Sequence, residues 1–208
     1  MLAIISPAIH QFLTRAENLN QLDDGYNPIR AGGLMSPQII FAMHLVLGYV
    51  ACLLCFNVYV LPRLRSMDRF EAQRMIATLH SFRFFGLVFI LPGVVGPNLP
   101  AGFATFAAYG DFATGILAML ALLTVRVRPM FWLFVVAFNL VGVADIILDY
   151  YHAIHAGLPA LAGQLGATYA IPILYVPMLM ITHIVAFYWL VRPQLKAAPV
   201  LIGDAIES

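Results

Sequence analysis

The sequence is poor in charged residues. Lysine and arginine number 11 and aspartate and glutamate 10 in 208 residues, whereas 62% of the residues are hydrophobic. The mean hydropathy is +0.89. Because a soluble domain carries about 25% charged residues, this composition excludes an ordinary soluble fold. The few scattered basic residues also exclude nucleic acid as a partner, since they form no surface that could follow phosphates.

Cysteine is almost as scarce, and the common catalytic motifs are missing. Cys52 and Cys55 have C-x-x-C spacing inside an apolar run, where a helix does not offer the geometry of a relaxed disulfide. With no second cysteine pair to relay electrons, a thiol oxidoreductase has weak support. The sequence has no G-x-x-x-x-G-K-[ST], G-x-S-x-G or H-E-x-x-H pattern. Phosphate-loop, serine-hydrolase and zincin chemistries therefore have no support.

Long apolar runs dominate what remains. Each is long enough to cross about 30 Å of hydrocarbon in roughly 20 helical residues. A lipid-exposed span must be helical here, because lipid offers no partner to an unpaired backbone N–H or C=O. The sequence therefore predicts an all-α integral membrane bundle of five transmembrane helices. The predicted spans run from about residue 37 to 61, 76 to 96, 101 to 125, 130 to 153 and 168 to 191.

The ends of the chain complete the predicted organisation. Residues 1–36 are expected to form an interfacial helix on the outer membrane face and a linker, residues 37–192 the bundle, and residues 193–208 a cytoplasmic tail. Basic residues follow spans one, three and five, eight of them against two on the opposite side. By the positive-inside rule, the amino terminus is outside and the carboxyl terminus is in the cytoplasm. The eight are Arg63, Arg65, Arg69, Arg74, Arg126, Arg128, Arg192 and Lys196, and the two are Arg15 and Arg30.

Ionisable residues inside the spans are the main functional signal, because each costs about 2.5–3.5 kcal/mol at the bilayer centre. In "ADIILDYYHAIH", Asp145, Asp149, His152 and His155 recur every three or four residues on one helix face. One interpretation is a helix that turns polar as it leaves lipid. The other is a site for a divalent transition metal, with Asp145, Asp149 and His152 as ligands and His44 completing it from span one at a similar depth.

A second polar group is expected deeper in the bundle. Arg83 and Asp111 lie on adjacent spans, so a structural ion pair is the favoured interpretation and a proton or anion pathway the alternative. Asn139 extends the polar interior. His183 is either a packing residue or, with a second histidine, a ligand of haem b. His80 matches His183 in depth better than His44 does.

Several of these residues lie in stretches that resemble a known family. "RFFGLVFILPGVVGPNLPAGFATFAAYGD", "FNLVGVAD" and "PILYVPMLMITHIVAF" resemble a group of uncharacterised bacterial polytopic membrane proteins. The resemblance covers the last four spans and implies no activity. It implies the bacterial cytoplasmic (inner) membrane as the location. The residues that carry it are Arg83, Gly86, Pro100, Gly110, Asp111, Asn139, Gly142, Asp145 and His183.

These observations favour a membrane binding or accessory protein. Its buried polar cluster would hold an ion, a lipophilic ligand or a partner subunit through groups that include Asp111, Arg83, Asn139 and His183. Membrane lipids, and a membrane-protein partner or a second copy of the chain, are the expected partners, because little loop mass remains for recognition outside the bilayer. The alternatives are a metal-dependent enzyme at the outer membrane face and a small proton-coupled transporter.

Overall fold

The computed structural model describes residues 36–191, and its regular elements are helical. The predicted all-α fold class is therefore confirmed, whereas the interfacial helix and the cytoplasmic tail lie outside the described residues. In chain order the elements are α1 (Pro37–Cys55), a π-helical turn (Phe56–Val60), α2 (Leu61–Ser66), α3 (Arg69–Ser81), a first 3-10 segment (Phe82–Ile90), α4 (Ala101–Leu123), α5 (Arg128–His155), a second 3-10 segment (Leu158–Tyr169), a second π-helical turn (Ile171–Tyr175) and α6 (Val176–Val191).

Four helical stretches are long and apolar enough to cross a membrane, so the chain is a multi-span membrane protein. They are Pro37–Ser66, Ala101–Leu123, Arg128–His155 and Ile171–Val191. The remaining predicted span, at residues 76–96, corresponds to α3 followed by the first 3-10 segment. Gln73, His80 and Arg83 are buried there, and these polar side chains lower the hydropathy of a stretch that is otherwise helical from Arg69 to Ile90.

Basic and aromatic side chains join several helices at one end of the bundle. Helix α3 begins after Asp68, whose carboxylate accepts hydrogen bonds from the next helical amides and so caps the helix. The Arg69 guanidinium donates to the carbonyl oxygen of Leu190, near the end of α6. Arg128, at the start of α5, lies 3.4 Å from the centroid of the Phe70 ring. The start of α3, the start of α5 and the end of α6 therefore lie together.

The loop between the first 3-10 segment and α4 lies against the second 3-10 segment. The amide of Gly96 donates to the Gln164 carbonyl at 2.7 Å, and the amide of Asn98 donates to the Gln164 side chain at 3.2 Å. Gly166 adopts a φ of +51°, and a Cβ there would lie 2.5 Å from the Val94 carbonyl oxygen. Only glycine meets both constraints, so this contact requires it.

Two apolar cores flank a polar layer along each inner helix. On α4, Phe103, Ala104, Ala107 and Ala108 belong to one core, and Ala118 and Ala121 belong to the other. Asp111 lies between them. The order is reversed on α5, where Phe138, in the second core, precedes Asp145 and Ala153, against the first core, follows it. Arg83 and His183 occupy the corresponding positions on the remaining inner elements, so the buried charges share one level of the bundle.

Candidate functional site

Arg83 is the centre of the buried polar layer. Its Nε donates to Asp111 Oδ1 on α4 at 2.6 Å, and its Nη2 donates to Asp145 Oδ2 on α5 at 2.5 Å. Its Nη1 lies 3.3 Å from both the carbonyl oxygen of Gly142 and the Nε2 of His183. No more than 4% of any of these three charged residues is exposed. One guanidinium therefore bridges two carboxylates in the apolar interior, where an unpaired charge would be strongly unfavourable.

The hydrogen bonds around His183 assign it as a neutral ring. Asn139 Nδ2 donates to the carbonyl oxygen of Val135 at 2.8 Å, which leaves the amide oxygen of Asn139 as an acceptor. His183 Nδ1 lies 2.9 Å from that oxygen and therefore carries the proton. The Nε2 lone pair of His183 can then accept from Arg83. Asn139 and His183 thus extend the polar layer without adding charge to it.

His80 lies directly against His183. Thr182 Oγ1 is 2.9 Å from the Met178 carbonyl and donates to it, so the hydroxyl accepts from His80 Nε2 at 3.0 Å. The ring centroids of His80 and His183 are 4.0 Å apart. His80 Nδ1 is buried without a hydrogen-bond partner among the described residues, so a second proton on this ring would have no acceptor, and His80, like His183, is assigned as neutral. Their direct contact also leaves no space for a haem between them, although their predicted match in depth is observed.

Three glycines allow the polar side chains to meet. A Cβ at any of these positions would fall on a side chain of the polar layer, closer than real Cβ atoms approach other groups. Small residues at helix contacts also let backbones in a membrane come close. The overlaps would be Gly86 with Asp111, Gly110 with Asp145, and Gly142 with Arg83 and His183. The glycines that the family resemblance singled out therefore have a physical role in the site.

A cavity of about 190 Å³ adjoins the polar layer. Its wall is mainly aliphatic and aromatic, and it includes Phe41, Phe89 and Phe103. Asp111 and Asp149 are the acidic residues among those that line it. Ligand sites commonly combine an apolar wall with a few polar groups that fix the ligand's orientation. The complete lining is Phe41, Leu45, Phe89, Phe103, Ala107, Asp111, Asp149, Tyr150, Ala153, Ile154, Leu158, Pro159, Ile171, Pro172 and Val176.

The residues predicted to bind a metal are divided among different contacts. Asp145 pairs with Arg83, whereas His44 is exposed and its Nδ1 lies 2.9 Å from the Tyr169 hydroxyl. The His152 ring packs against Phe106, with centroids 4.6 Å apart. Within residues 36–191, no three His, Cys, Asp or Glu side chains form a group that could hold a metal ion. The metal-site hypothesis therefore stays a prediction. The similar depth of His44 and Asp145 suggested that they could meet, but the contacts recorded for them are with Tyr169 and Arg83.

The sequence indicated most of the polar layer, but not how its members are paired. The Arg83–Asp111 ion pair is present, and the structure adds Asp145 as the second acid on the same guanidinium. Sequence reasoning missed the aromatic wall of the cavity, because its members look like ordinary apolar core residues. It also missed Thr182 as the partner of His80. A pair of neighbouring polar residues, Thr182 and His183, in an apolar run was the available signal.

Fold and site together define a class: an all-α, multi-span membrane protein with a buried arginine–acid cluster next to an apolar cavity. Residues 40–191 match the family described as "Domain of unknown function (DUF8737)". The match spans most of the chain, so the protein belongs to that family. A search of curated proteins gives no match, and neither does a search of solved structures. Functional inference therefore depends on the geometry of the site.

Proposed function

We propose that this protein is an integral membrane binding protein that holds a lipophilic ligand in the cavity beside the Arg83–Asp111–Asp145 cluster. The observation that carries the proposal is that two acidic residues, Asp111 and Asp149, are among the lining residues of an otherwise apolar cavity. Side chains this costly to bury in a membrane are rare unless they pair or face a cavity. Asp111 does both, which ties the ion pair to the ligand site.

The proposal includes five spans. The contacts of Arg69 and Arg128 gather helix ends at one end of the bundle, and the contacts of Gln164 gather loops elsewhere. α3 with the first 3-10 segment runs from the former group to the latter, which supports a full crossing. The 22 residues from Arg69 to Ile90 are helical throughout, and roughly 20 helical residues suffice to cross the hydrocarbon.

We further propose that the end carrying Arg69 and Arg128 faces the cytoplasm of a bacterial cell. The support is the concentration of basic residues there, with Arg63 and Arg65 in the last turn of α2. In this orientation, α1 begins at the outer face. Lipid chains would cover its exposed apolar residues, such as Val46, Leu47 and Leu54, each more than half exposed. An accessory role beside a membrane-protein partner or a second copy is compatible with the same face.

A binding experiment with toluene tests the cavity. Ala107 is buried and lines the cavity, so Ala107→Leu places extra volume inside it. Ala113 lies exposed on the same helix, so Ala113→Leu is the matched control. We expect toluene to raise the melting temperature of the wild-type protein and of Ala113→Leu in detergent, because a ligand that binds the folded state stabilises it. The shift should be lost in Ala107→Leu.

Two outcomes would contradict the proposal. Equal shifts in all three proteins would mean that toluene acts through the detergent or the outer surface. No shift in any of them would mean that the cavity does not take an apolar ligand. Because Ala107→Leu can also lower stability through overpacking, each shift is measured relative to the same protein without toluene.

A further inference from the structure

The polar groups at the cavity wall are acceptors. Asp111 and Asp149 contribute carboxylates, and Asp149 Oδ1 is buried without a hydrogen-bond partner among residues 36–191. The other polar lining residue is Tyr150, whose hydroxyl oxygen lies 2.8 Å from the hydroxyl oxygen of Tyr49 in a hydrogen bond. An unmade hydrogen bond to a buried acceptor costs about 1–3 kcal/mol. A ligand that donates a hydrogen bond to Asp149 would therefore remove this cost.

Arg83 is poorly placed to serve as an anion site, because four acceptors already occupy most of its five N–H donors. Each of its three nitrogen atoms has at least one acceptor, and these acceptors are Asp111, Asp145, the Gly142 carbonyl and His183. No arginine or lysine within residues 36–191, Arg83 included, is among the residues that line the cavity. A ligand carboxylate or phosphate would find no basic side chain among the lining residues and would meet two acidic residues. The site therefore discriminates against anionic head groups.

The charges around the cavity favour a cation. Asp111, Asp145 and Asp149 place three acidic side chains near the single guanidinium of Arg83, and the neutral histidines add no charge. Asp145 also keeps one buried oxygen, Oδ1, without a partner among the described residues. Its side chain is only 4% exposed. A positive charge placed beside Asp149 would favour the ionised form of its carboxyl group, and the attraction between the two charges is stronger in the low dielectric of the interior than in water.

The size and wall of the cavity limit the ligand's body. An apolar cavity of about 150 Å³ holds a benzene ring, so about 190 Å³ fits a ring with a short substituent or a short alkyl chain. The aromatic faces of Phe41, Phe89 and Phe103 suit such a body and can also contact a cation. Ile154 lines the cavity and is 74% exposed, so the cavity reaches the surface of the bundle.

We propose that the cavity selects lipophilic amines, with the protonated amino group on the Asp149 carboxylate and the apolar body among Phe41, Phe89 and Phe103. This inference rests on the proposed function and adds the chemical class of the ligand. The amine donates N–H hydrogen bonds to Asp149, and the rest of the molecule replaces lipid contacts with protein contacts. No covalent step is involved.

Four probes with the same ring test the choice of head group: benzylamine, benzyl alcohol, toluene and benzoate. Their apparent dissociation constants are measured on the full chain in detergent from concentration-dependent melting shifts. Ligand-observed NMR provides an independent measurement. We expect benzylamine to bind at least about tenfold more tightly than toluene, because its protonated amine forms a charge-assisted hydrogen bond and toluene forms none. Benzyl alcohol should fall between them, and benzoate should bind most weakly.

Asp149→Asn tests the assigned residue. We expect the preference for benzylamine over toluene to fall to within about threefold in this variant, while toluene binding is retained. Glu71→Gln, which removes a half-exposed acid outside the cavity, should leave the preference unchanged. If Asp149→Asn does not fold, the order of the four probes on the wild-type protein still decides the proposal.

Failure of this inference is distinguishable from failure of the proposed function. Equal binding of benzylamine and toluene, or tighter binding of benzoate, would overturn the amine selectivity while leaving a lipophilic cavity in place. A benzylamine preference that survives in Asp149→Asn would overturn the role of that carboxylate. The absence of binding by every probe would overturn both proposals.

Discussion

At the scale of single residues, Arg83 connects more of the interior than any neighbour in the polar layer. Its guanidinium contacts groups on α4, α5 and α6 from the first 3-10 segment. Removal of one partner from a buried ion pair leaves an uncompensated charge, whereas replacement of the whole group by neutral residues can be almost without cost. Replacement of Arg83 should therefore destabilise the bundle while Asp111 and Asp145 are present, and much less when both acids are also replaced by neutral residues.

Arg83→Met should lower the free energy of unfolding by about 3–5 kcal/mol, because it leaves Asp111 and Asp145 without a counter-charge. Adding Asp111→Asn and Asp145→Asn to Arg83→Met should recover a large part of that loss. Denaturant titration in mixed micelles measures both effects. A loss below about 1 kcal/mol for Arg83→Met would place the guanidinium outside a buried ion pair.

Gly110 offers a second test at the residue scale. Gly110→Ala should lower stability by about 1–3 kcal/mol, because the new methyl group would displace Asp145 from its place beside Arg83. Gly102→Ala is the matched control on the same helix, since a Cβ there meets no atom within 4 Å. That variant should be neutral or slightly stabilising. Equal effects of the two substitutions in the same titration would contradict the close approach at Gly110.

At the scale of elements, α3 shows how far hydropathy alone can mislead. The sequence placed the second span at residues 76–96, whereas helix begins at Arg69 and the 3-10 segment ends at Ile90. Asp68 followed by Glu71 is a pattern that starts a helix, yet both residues lie outside the predicted spans. Its arginines contact Trp132 and other partners in the structure. Hydropathy does not report such contacts, so it identified the apolar part of this stretch but not the ends of its helical segment.

The cap of α3 is open to a direct test. Asp68→Ala should cost about 1 kcal/mol, because the amides of Phe70 and Glu71 lose the carboxylate that accepts from them. Asp68→Ser should retain most of the stability, since a hydroxyl can also cap. Hydrogen exchange at these two amides is the sensitive measurement. Exchange that is no faster in Asp68→Ala than in the wild-type protein would argue against the cap.

At the scale of the whole molecule, labelling of single cysteines tests the proposed five spans. In a background with Cys52 and Cys55 replaced by serine, Ser66→Cys and Asn98→Cys should react with an impermeant maleimide from opposite sides of the membrane. Thr124→Cys should react from the same side as Ser66→Cys. Labelling of positions 66 and 98 from one side would mean that the stretch between them does not cross, which leaves four spans.

Composition and hydropathy were enough to predict the helical class, because lipid restricts a span to few structures. The cost of buried charge likewise predicted that Asp111 would need a cation. The remaining details depend on how the helices are rotated about their axes. The rotation of each helix about its axis places Asp145 against Arg83 and His44 against Tyr169. Depth along the helix alone could not tell these contacts from the predicted contact between His44 and Asp145. The cavity is a product of the same packing and has no local sequence pattern.

A density map of the protein in lipid nanodiscs, at a resolution that shows side chains, tests the central claim most directly. We expect the Arg83 guanidinium between Asp111 and Asp145, and density for a small lipophilic molecule in the cavity against Asp149. A map in which the two acids point separately to lipid, or in which side chains fill the cavity, would contradict the account.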